Sequence, residues 1–396
     1  MTLFSESIVI QTTHRQKHGK SLGPRGRQNG NRRSGIPVHK IQAAVLRKPG
    51  LSLNIEELEL DRPRDDEVLV RLVASGICRT DIDVCDEWSA SSGPVVLGHE
   101  GAGVVEQVGR SVKAVRHGDH VVLSYQSCGR CRACRHERPT ACAHFYELNF
   151  GFQRLDGSNA LQRSGVRGHF FGQSSFATYA LAGERNIVKV SRKLPLALLA
   201  PLGCGIQTGA GTVMNTLKIR KGASVAIFGT GAVGLAAVMA AHVVGANPII
   251  GVDIVAKRLK LARELGATHA INSRREDVAT RIRQITGRGV DYVLEITGDA
   301  QMYRLAINVL NPRGTLARIA TPDGSEPLSQ GRKSISVIQG DAIPQQFIPK
   351  LIVLWKAGRF PFDRLVKFYR FRDINKAMAD VRRGATIKPV LRISKP

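Results

Sequence analysis

Downstream of residue 224 the chain alternates between short apolar runs and longer helical stretches. Val225 to Phe228 is wholly apolar with a β-branched start, the pattern of a strand buried on both faces. Further runs at 248–252, 268–271, 291–295 and 315–319 read as strands, with 334–338 as a last one. Helical stretches at 232–244, 256–265, 276–285 and 300–310 separate them. Strict alternation of strand and helix predicts a parallel, doubly wound α/β sheet. Upstream the rhythm differs. Ile41 to Leu46, Glu67 to Val73, Gly101 to Val108 and the run after Gly118-Asp119-His120 are short strands between turns. Their close spacing predicts a separate, β-rich domain. Pro201 to Gly209 leads a helix towards Leu217. Near the end, a helix (373–382) and a strand (387–393) are expected to return to the β-rich domain and close its sheet. The expected organisation is an extension over 1–39, a first domain over 40–205 completed by 360–396, and a doubly wound α/β domain over 206–359.

The junction between the first α/β strand and its helix reads Gly229-Thr-Gly-Ala-Val-Gly234. The first glycine of G-x-G-x-x-G allows a tight turn, the second lets a pyrophosphate approach the backbone, and the third lets helix pack on strand. The helix N-terminus presents unpaired N–H groups and a positive dipole end to phosphate. Asp253 follows 19 residues after Gly234, at the end of the second strand, where a carboxylate accepts from ribose hydroxyls. A dinucleotide site is expected there; an ordinary βα turn is the plainer alternative.

Charge and composition adjust the picture at the N-terminus. The 396 residues carry a net charge of +26; residues 1 to 40 hold eight Lys or Arg and one acid, hence +7, which leaves +19 on the remainder. Residues 1 to 37 are rich in Arg, Gly, Gln, Asn and Ser, a composition that predicts disorder. A targeting peptide, a basic arm for an acidic partner, and an upstream extension of a domain starting near Val38 or Lys40 all fit it. A basic body attracts nucleic acid nonspecifically, but no nucleic-acid module is recognisable. A hydrophobic content of 43% fits a globular protein. No run approaches the roughly 20 apolar residues of a membrane helix, and no secretory pattern opens the chain. A soluble, cytoplasmic protein without nucleic-acid or membrane partners is expected.

Four of the seven cysteines, Cys128, Cys131, Cys134 and Cys142, are spaced C-x2-C-x2-C-x7-C. Four soft thiolates that close together suit a closed tetrahedral zinc site, which is structural because no position stays open. Two disulfides are the alternative, at odds with a reducing compartment and with good bridge geometry. Of the remaining three, Cys85 reads as a small buried hydrophobe. Cys78 and Cys204 could join His99 in a Cys2His set with an open fourth position, as a catalytic zinc requires. Spacing alone does not establish that set, and a lone histidine in a Gly-His-Glu turn is more often structural. Eight aromatic residues between Phe145 and Tyr179 form a core or the wall of an apolar pocket.

Gly76-Ile-Cys-Arg-Thr-Asp81, Gly98-His-Glu100, the four-cysteine lobe and Gly229 to Gly234 together resemble a zinc-dependent medium-chain alcohol dehydrogenase, from about Ile41 to Ile393. Phe170-Phe-Gly-Gln-Ser-Ser-Phe-Ala177, Gly340-Asp-Ala-Ile-Pro344, Phe347-Ile-Pro-Lys-Leu351, Phe360-Pro-Phe-Asp-Arg-Leu365 and Ile387 to Ile393 resemble the aryl-alcohol (benzyl alcohol) members most. The resemblance implies a GroES-like catalytic domain beside a Rossmann domain, two Zn2+ per chain and NAD as hydride acceptor from a benzyl-type alcohol. It assigns the catalytic zinc to Cys78, His99 and Cys204. Asp81 would orient His99, Glu100 would sit behind the metal, and Thr80 would take the alcohol proton. Many relatives carry a histidine where this chain has Asp83, so Asp83 or water would end the proton relay. Arg79 and Lys388 would meet the pyrophosphate, and Thr208 and Val233 would lie near the nicotinamide. Asp253 would hold the ribose, with Arg258 nearby. Asp253 favours NAD over NADP, although an arginine can also accommodate a 2′-phosphate. Trp88 and Tyr125 are wall candidates. A homodimer or homotetramer is implied, paired through Ser334 to Ile338. A terpenoid or cinnamyl-type alcohol is the alternative substrate; a basic nucleic-acid or partner-binding protein on this scaffold is the alternative from another class.

Overall fold

The computed structural model describes residues 39–50, 52–319 and 328–396. The expected basic extension lies outside them except for His39. Strands β1 (His39–Leu46), β2 (Asn54–Leu60) and the short β4 (Val95–Val96) form a three-stranded antiparallel sheet in the order β2-β1-β4. In β2 the alternation Leu58-in, Glu59-out, Leu60-in is the period-two signal of a half-buried strand.

A larger sheet is centred on β3 (Glu67–Gly76), which is buried along almost its whole length. β5 (Glu100–Val108), β6 (His120–Leu123) and β8 (Ile187–Val190) continue it on one side. Along its other side β3 takes β7 (Tyr179–Gly183) against its first half and β16 (Lys388–Arg392) against its last residues. β15 (Val366–Arg370) lies outside β16, parallel to it. The last strands of the chain therefore belong to this sheet.

The third sheet has the order β11-β10-β9-β12-β13-β14 and is parallel throughout. Its strands are β9 (Val225–Phe228), β10 (Ile249–Asp253), β11 (His269–Asn272), β12 (Val290–Glu295), β13 (Leu310–Arg318) and β14 (Lys333–Ser336). Sequence order 3-2-1-4-5-6 makes it the doubly wound dinucleotide-binding arrangement, as the alternation predicts.

Helices of seven residues or more are numbered here. They are α1 (Arg79–Glu87), α2 (Gly205–Gly211), α3 (Ala232–Val244), α4 (Ala256–Glu264), α5 (Val278–Thr286), α6 (Ala300–Asn308), α7 (Pro344–Lys356) and α8 (Ile374–Arg382). Pattern alone left α1 and α7 out. Both open on local signals: the Asp81 carboxylate accepts from the Cys78 amide at 2.9 Å, and Pro344 sits in the first turn of α7. The helix expected to reach residue 310 ends at Asn308, because Leu310 is taken by parallel pairing with Val290.

One apolar cluster joins the two domains. It contains Val73 of β3, Val122 of β6, Ile206 of α2, Leu235 of α3, Ile348 of α7 and Val390 of β16. A core shared in this way holds the domains together across α2, and Cys204 immediately precedes that helix.

Candidate active site and metal centres

The register of β3 on β5 brings the first two candidate ligands together. Gly76 pairs with Glu100. Cys78, two residues past the end of β3, therefore comes beside His99, one residue before β5. Cys204 arrives from the other direction as the residue capping α2. The ligand atoms of Cys78, His99, Cys204 and also Glu100 all lie within 4.8 Å of one another. Tetrahedral ligands of zinc stand about 3.8 Å apart when both are thiolates.

The His99 ring is oriented from behind. Its Nδ1 lies 3.0 Å from Asp81 Oδ1, which also accepts from the Gly98 amide at 3.0 Å. Its Nε2 is buried without a protein partner. A buried nitrogen in that state is what a metal would satisfy. Phe171 stacks on the imidazole with centroids 4.5 Å apart, and Phe170 meets it edge-on at 5.3 Å. Burial opposes charge on His99, yet the Asp81 carboxylate and the Cys78 thiol raise its pKa to about 10. Cys78 is held well below the usual thiol range by its hydrogen bond with Cys204, against burial and with help from the Lys388 charge. A thiolate beside an oriented imidazole and a second thiol is a donor set that fits zinc. Gln339 Nε2 donates to Cys204 Sγ at 3.3 Å, a contact from the short helical turn at 339–341 that no sequence signal pointed to.

Glu100 and Lys388 form a buried ion pair beside the ligands, with Nζ 2.8 and 2.9 Å from the two carboxylate oxygens. Nζ also donates to the Ile77 carbonyl at 3.2 Å. Lys388 is 1% exposed. Its three ammonium protons all have acceptors inside the protein. Arg79 is exposed, and its Nε lies 2.6 Å from Asp83 Oδ1, one helical turn on. Asp83, expected to end the relay, is thus the partner of Arg79; burial raises its pKa, with Arg79 acting against the rise. Thr80 Oγ1 lies 3.8 Å from Cys78 Sγ. Tyr125 is buried with its hydroxyl donating to the Ala342 carbonyl at 2.5 Å, and Trp88 donates to the Gly93 carbonyl. The aromatic rings in contact with His99 are Phe170 and Phe171.

In the four-cysteine lobe all four sulfurs lie within 4.8 Å of one another. Cys128 Sγ and Cys134 Sγ are 3.9 Å apart, far beyond a disulfide and close to the tetrahedral spacing. Backbone amides of Cys128, Cys131 and His144 point at sulfur from 3.3 to 3.4 Å. Hydrogen bonds from the Ala143 and Cys134 amides lower the Cys131 pKa to about 6. These residues fit a closed zinc site, and the described cysteines are all free of disulfides.

The glycine-rich turn is built for an anionic ligand. Gly229 has φ +94°, in the region that favours glycine. A Cβ on Gly231 would meet nothing within 4 Å, so its backbone faces open space at the start of α3. A Cβ on Gly234 would lie 1.9 Å from the Gly229 carbonyl. Asp253 is buried at the tip of β10. It accepts from the Thr230 amide at 2.7 Å, the Thr230 hydroxyl at 2.9 Å and the Val255 amide at 2.9 Å. Thr230, which sequence reasoning passed over, therefore ties the loop to the acid. Arg258 approaches Asp253 at 4.0 Å. Thr208 donates to the Cys204 carbonyl at 2.9 Å, and Val233 lies in the first turn of α3.

A β-rich domain with an oriented Cys2His set, joined through a shared core to a doubly wound dinucleotide fold, defines a metal-dependent oxidoreductase scaffold. Known proteins agree. A zinc-binding dehydrogenase model matches residues 232–345, and an alcohol dehydrogenase GroES-like domain model matches residues 64–192. Geraniol dehydrogenase of Castellaniella defragrans is 45% identical over 362 residues, 88% of this chain and 97% of that relative. A crystal structure of an alcohol dehydrogenase zinc-binding domain protein from Burkholderia ambifaria is 50% identical. It covers 91% of this chain and 100% of its own, with a TM-score of 0.87. Benzyl alcohol dehydrogenase of Acinetobacter calcoaceticus is 44% identical, with 90% and 100% covered and a TM-score of 0.86. The chain belongs to the zinc-dependent medium-chain alcohol dehydrogenases.

Proposed function

We propose that this enzyme interconverts an apolar, benzyl-type primary alcohol and its aldehyde, with NAD as the hydride partner. The observation that carries the reading is the Cys78, His99 and Cys204 set, with a bare His99 Nε2 beside Phe170 and Phe171. Zinc held there would act as a Lewis acid on the alcohol oxygen, lowering the pKa of the hydroxyl. NAD bound at the Gly229 to Gly234 turn would accept the hydride.

The chain's own residues do the rest. Asp81 accepts from His99 Nδ1 and so directs the Nε2 lone pair to the metal. Gln339 donates to Cys204 Sγ and holds that sulfur in place. Thr80 Oγ1, in the first turn of α1, takes the alcohol proton, and Asp83 or water carries it onward. The aromatic rings beside His99 exclude water and favour a flat, apolar substrate. Asp253 holds the ribose hydroxyls and disfavours a 2′-phosphate, which supports NAD over NADP, with Arg258 as its neighbour. Arg79 reaches the pyrophosphate if it leaves Asp83. The four-cysteine lobe holds a second, structural zinc.

A terpenoid alcohol is the second reading, favoured by the likeness to a geraniol dehydrogenase. The test is NADH formation from NAD with benzyl alcohol, cinnamyl alcohol and geraniol, with and without a zinc chelator, on protein of measured zinc content. Chelator-sensitive turnover supports the reading, and the kcat/KM order selects the substrate. No turnover at about two zinc ions per chain moves the reading to NADP or another alcohol. No turnover with one zinc overturns the catalytic assignment.

We also propose a homodimer or homotetramer. Among the described residues β14 pairs on one side only, with β13, and so leaves a sheet edge open. A monomer in gel filtration at working concentration overturns this.

A further inference from the structure

Glu100 offers a carboxylate oxygen within 4.8 Å of the ligand atoms of Cys78, His99 and Cys204. A metal in that set thus has a fourth protein ligand at hand, and four protein ligands would close the site. Chemistry on an exchangeable ligand needs the opposite. The structure shows the carboxylate held aside by three features. Lys388 Nζ bridges both its oxygens at 2.8 and 2.9 Å. The Gly205 amide donates to Oε1 at 3.1 Å. Oε2 lies where a side chain on residue 76 would stand, since a Cβ on Gly76 would come 2.1 Å from it.

We infer that Lys388 is a positioning residue that keeps Glu100 off the catalytic metal and so preserves the open coordination position. The inference rests on the proposed zinc site. Lys388 is suited to the task. It is buried, anchored on β16 between β15 and β3, and all three of its ammonium protons have acceptors: both Glu100 oxygens and the Ile77 carbonyl. A desolvated ion pair with complete hydrogen bonding is strong, whereas removing one partner leaves the other charge buried and unpaired. For Glu100 without Lys388, the nearest remaining cation is the metal. The carboxylate would then take the position of the small ligand, which would leave.

The test uses full-length protein with cobalt in the catalytic site, whose visible absorption reports ligand exchange. Imidazole serves as the small probe. Wild-type protein is expected to bind imidazole with a clear spectral shift. Lys388→Met is expected to weaken that binding at least tenfold, with a changed spectrum before imidazole is added. The double variant Lys388→Met/Glu100→Gln is expected to recover affinity to within about threefold of wild type. Equal imidazole affinity in wild type and Lys388→Met overturns the inference. So does a double variant no better than the single one, because a merely structural loss is not repaired by removing a second partner. Should Lys388→Met fail to fold, Lys388→Gln, whose amide keeps one hydrogen bond to the carboxylate, replaces it in both measurements. A wild-type cobalt protein that ignores imidazole overturns the open-site reading itself, and so separates the two failures.

Discussion

Asp81 serves three donors with two oxygens: Oδ1 faces His99 Nδ1 and the Gly98 amide, and Oδ2 faces the Cys78 amide. One side chain thus orients one candidate metal ligand and fixes the backbone of another. Asp81→Asn puts an NH2 group against one of these donors. Zinc affinity in a chelator competition is expected to fall about 10- to 100-fold, the range for partners of metal-ligating histidines, with kcat/KM falling in parallel. An unchanged affinity would remove Asp81 from the metal site. A second buried histidine sets a pH dependence. His169 has its pKa lowered to about 4 by burial and by Arg154, and its Nε2 accepts from the Ala160 amide. The unfolded chain takes up a proton at this residue below about pH 6.5, while the folded protein resists until about 4. Stability is therefore full above that window and falls as pH drops through it, by roughly 3 kcal/mol in total. Asn tolerates the left-handed φ of +62° found at this position. His169→Asn is expected to flatten the acid side of the urea midpoint between pH 7 and 4.5; parallel curves for the two proteins would disprove the role. The residue types at Cys78, His99 and Cys204 were legible in the sequence, but the engagement of Lys388 with Glu100 was not, because nothing local to residue 388 records what faces it across 288 residues.

At the scale of elements, α2 approaches the backbone of α3 closely at Gly209. A Cβ on Gly209 would lie 2.0 Å from the Val233 carbonyl. The helix that follows Cys204 is thereby held directly against the helix that follows the glycine-rich turn. Gly209→Ala wedges the two apart. The expected result is a clear loss of thermal stability, within the 1–3 kcal/mol range of overpacked cores, and a kcat reduced by tenfold or more with zinc content retained. A variant with wild-type kcat would show that the helix contact does not align metal and cofactor. The α/β elements were readable from period and turn residues: the central strands β9 and β10 are buried on both faces, and glycine or a capping acid stands at or next to the helix ends. β7, β8 and α7 were harder, because their formation depends on partners distant in sequence, as β7 does on β3.

For the whole molecule, the C-terminal strand is interior architecture. β16 lies between β15 and β3, with Val390 and Leu391 fully buried. Deleting residues 388–396 exposes the edge of β3, removes the counter-charge of Glu100 and opens the shared core. The truncated chain is expected to lose its cooperative thermal transition and native circular dichroism. A truncated protein that melts as one unit near the wild-type temperature would contradict this reading of the core. Among the described residues no single helix is long and apolar enough to cross a membrane.

The sequence by itself determined what is local: the doubly wound rhythm, the glycine turn with its acid 19 residues on, and the four-cysteine lobe whose ligands lie within one short segment. Hydrophobic period, backbone freedom at glycine and thiolate spacing act over a few residues and can be read one dimension at a time. Only the tertiary structure decided what depends on long-range register. The Gly76–Glu100 pairing sets Cys78 beside His99, α2 delivers Cys204, and β16 returns across the chain to set Lys388 on Glu100. Side-chain partnership there is a property of packed strands and helices, and it exists only once they have met.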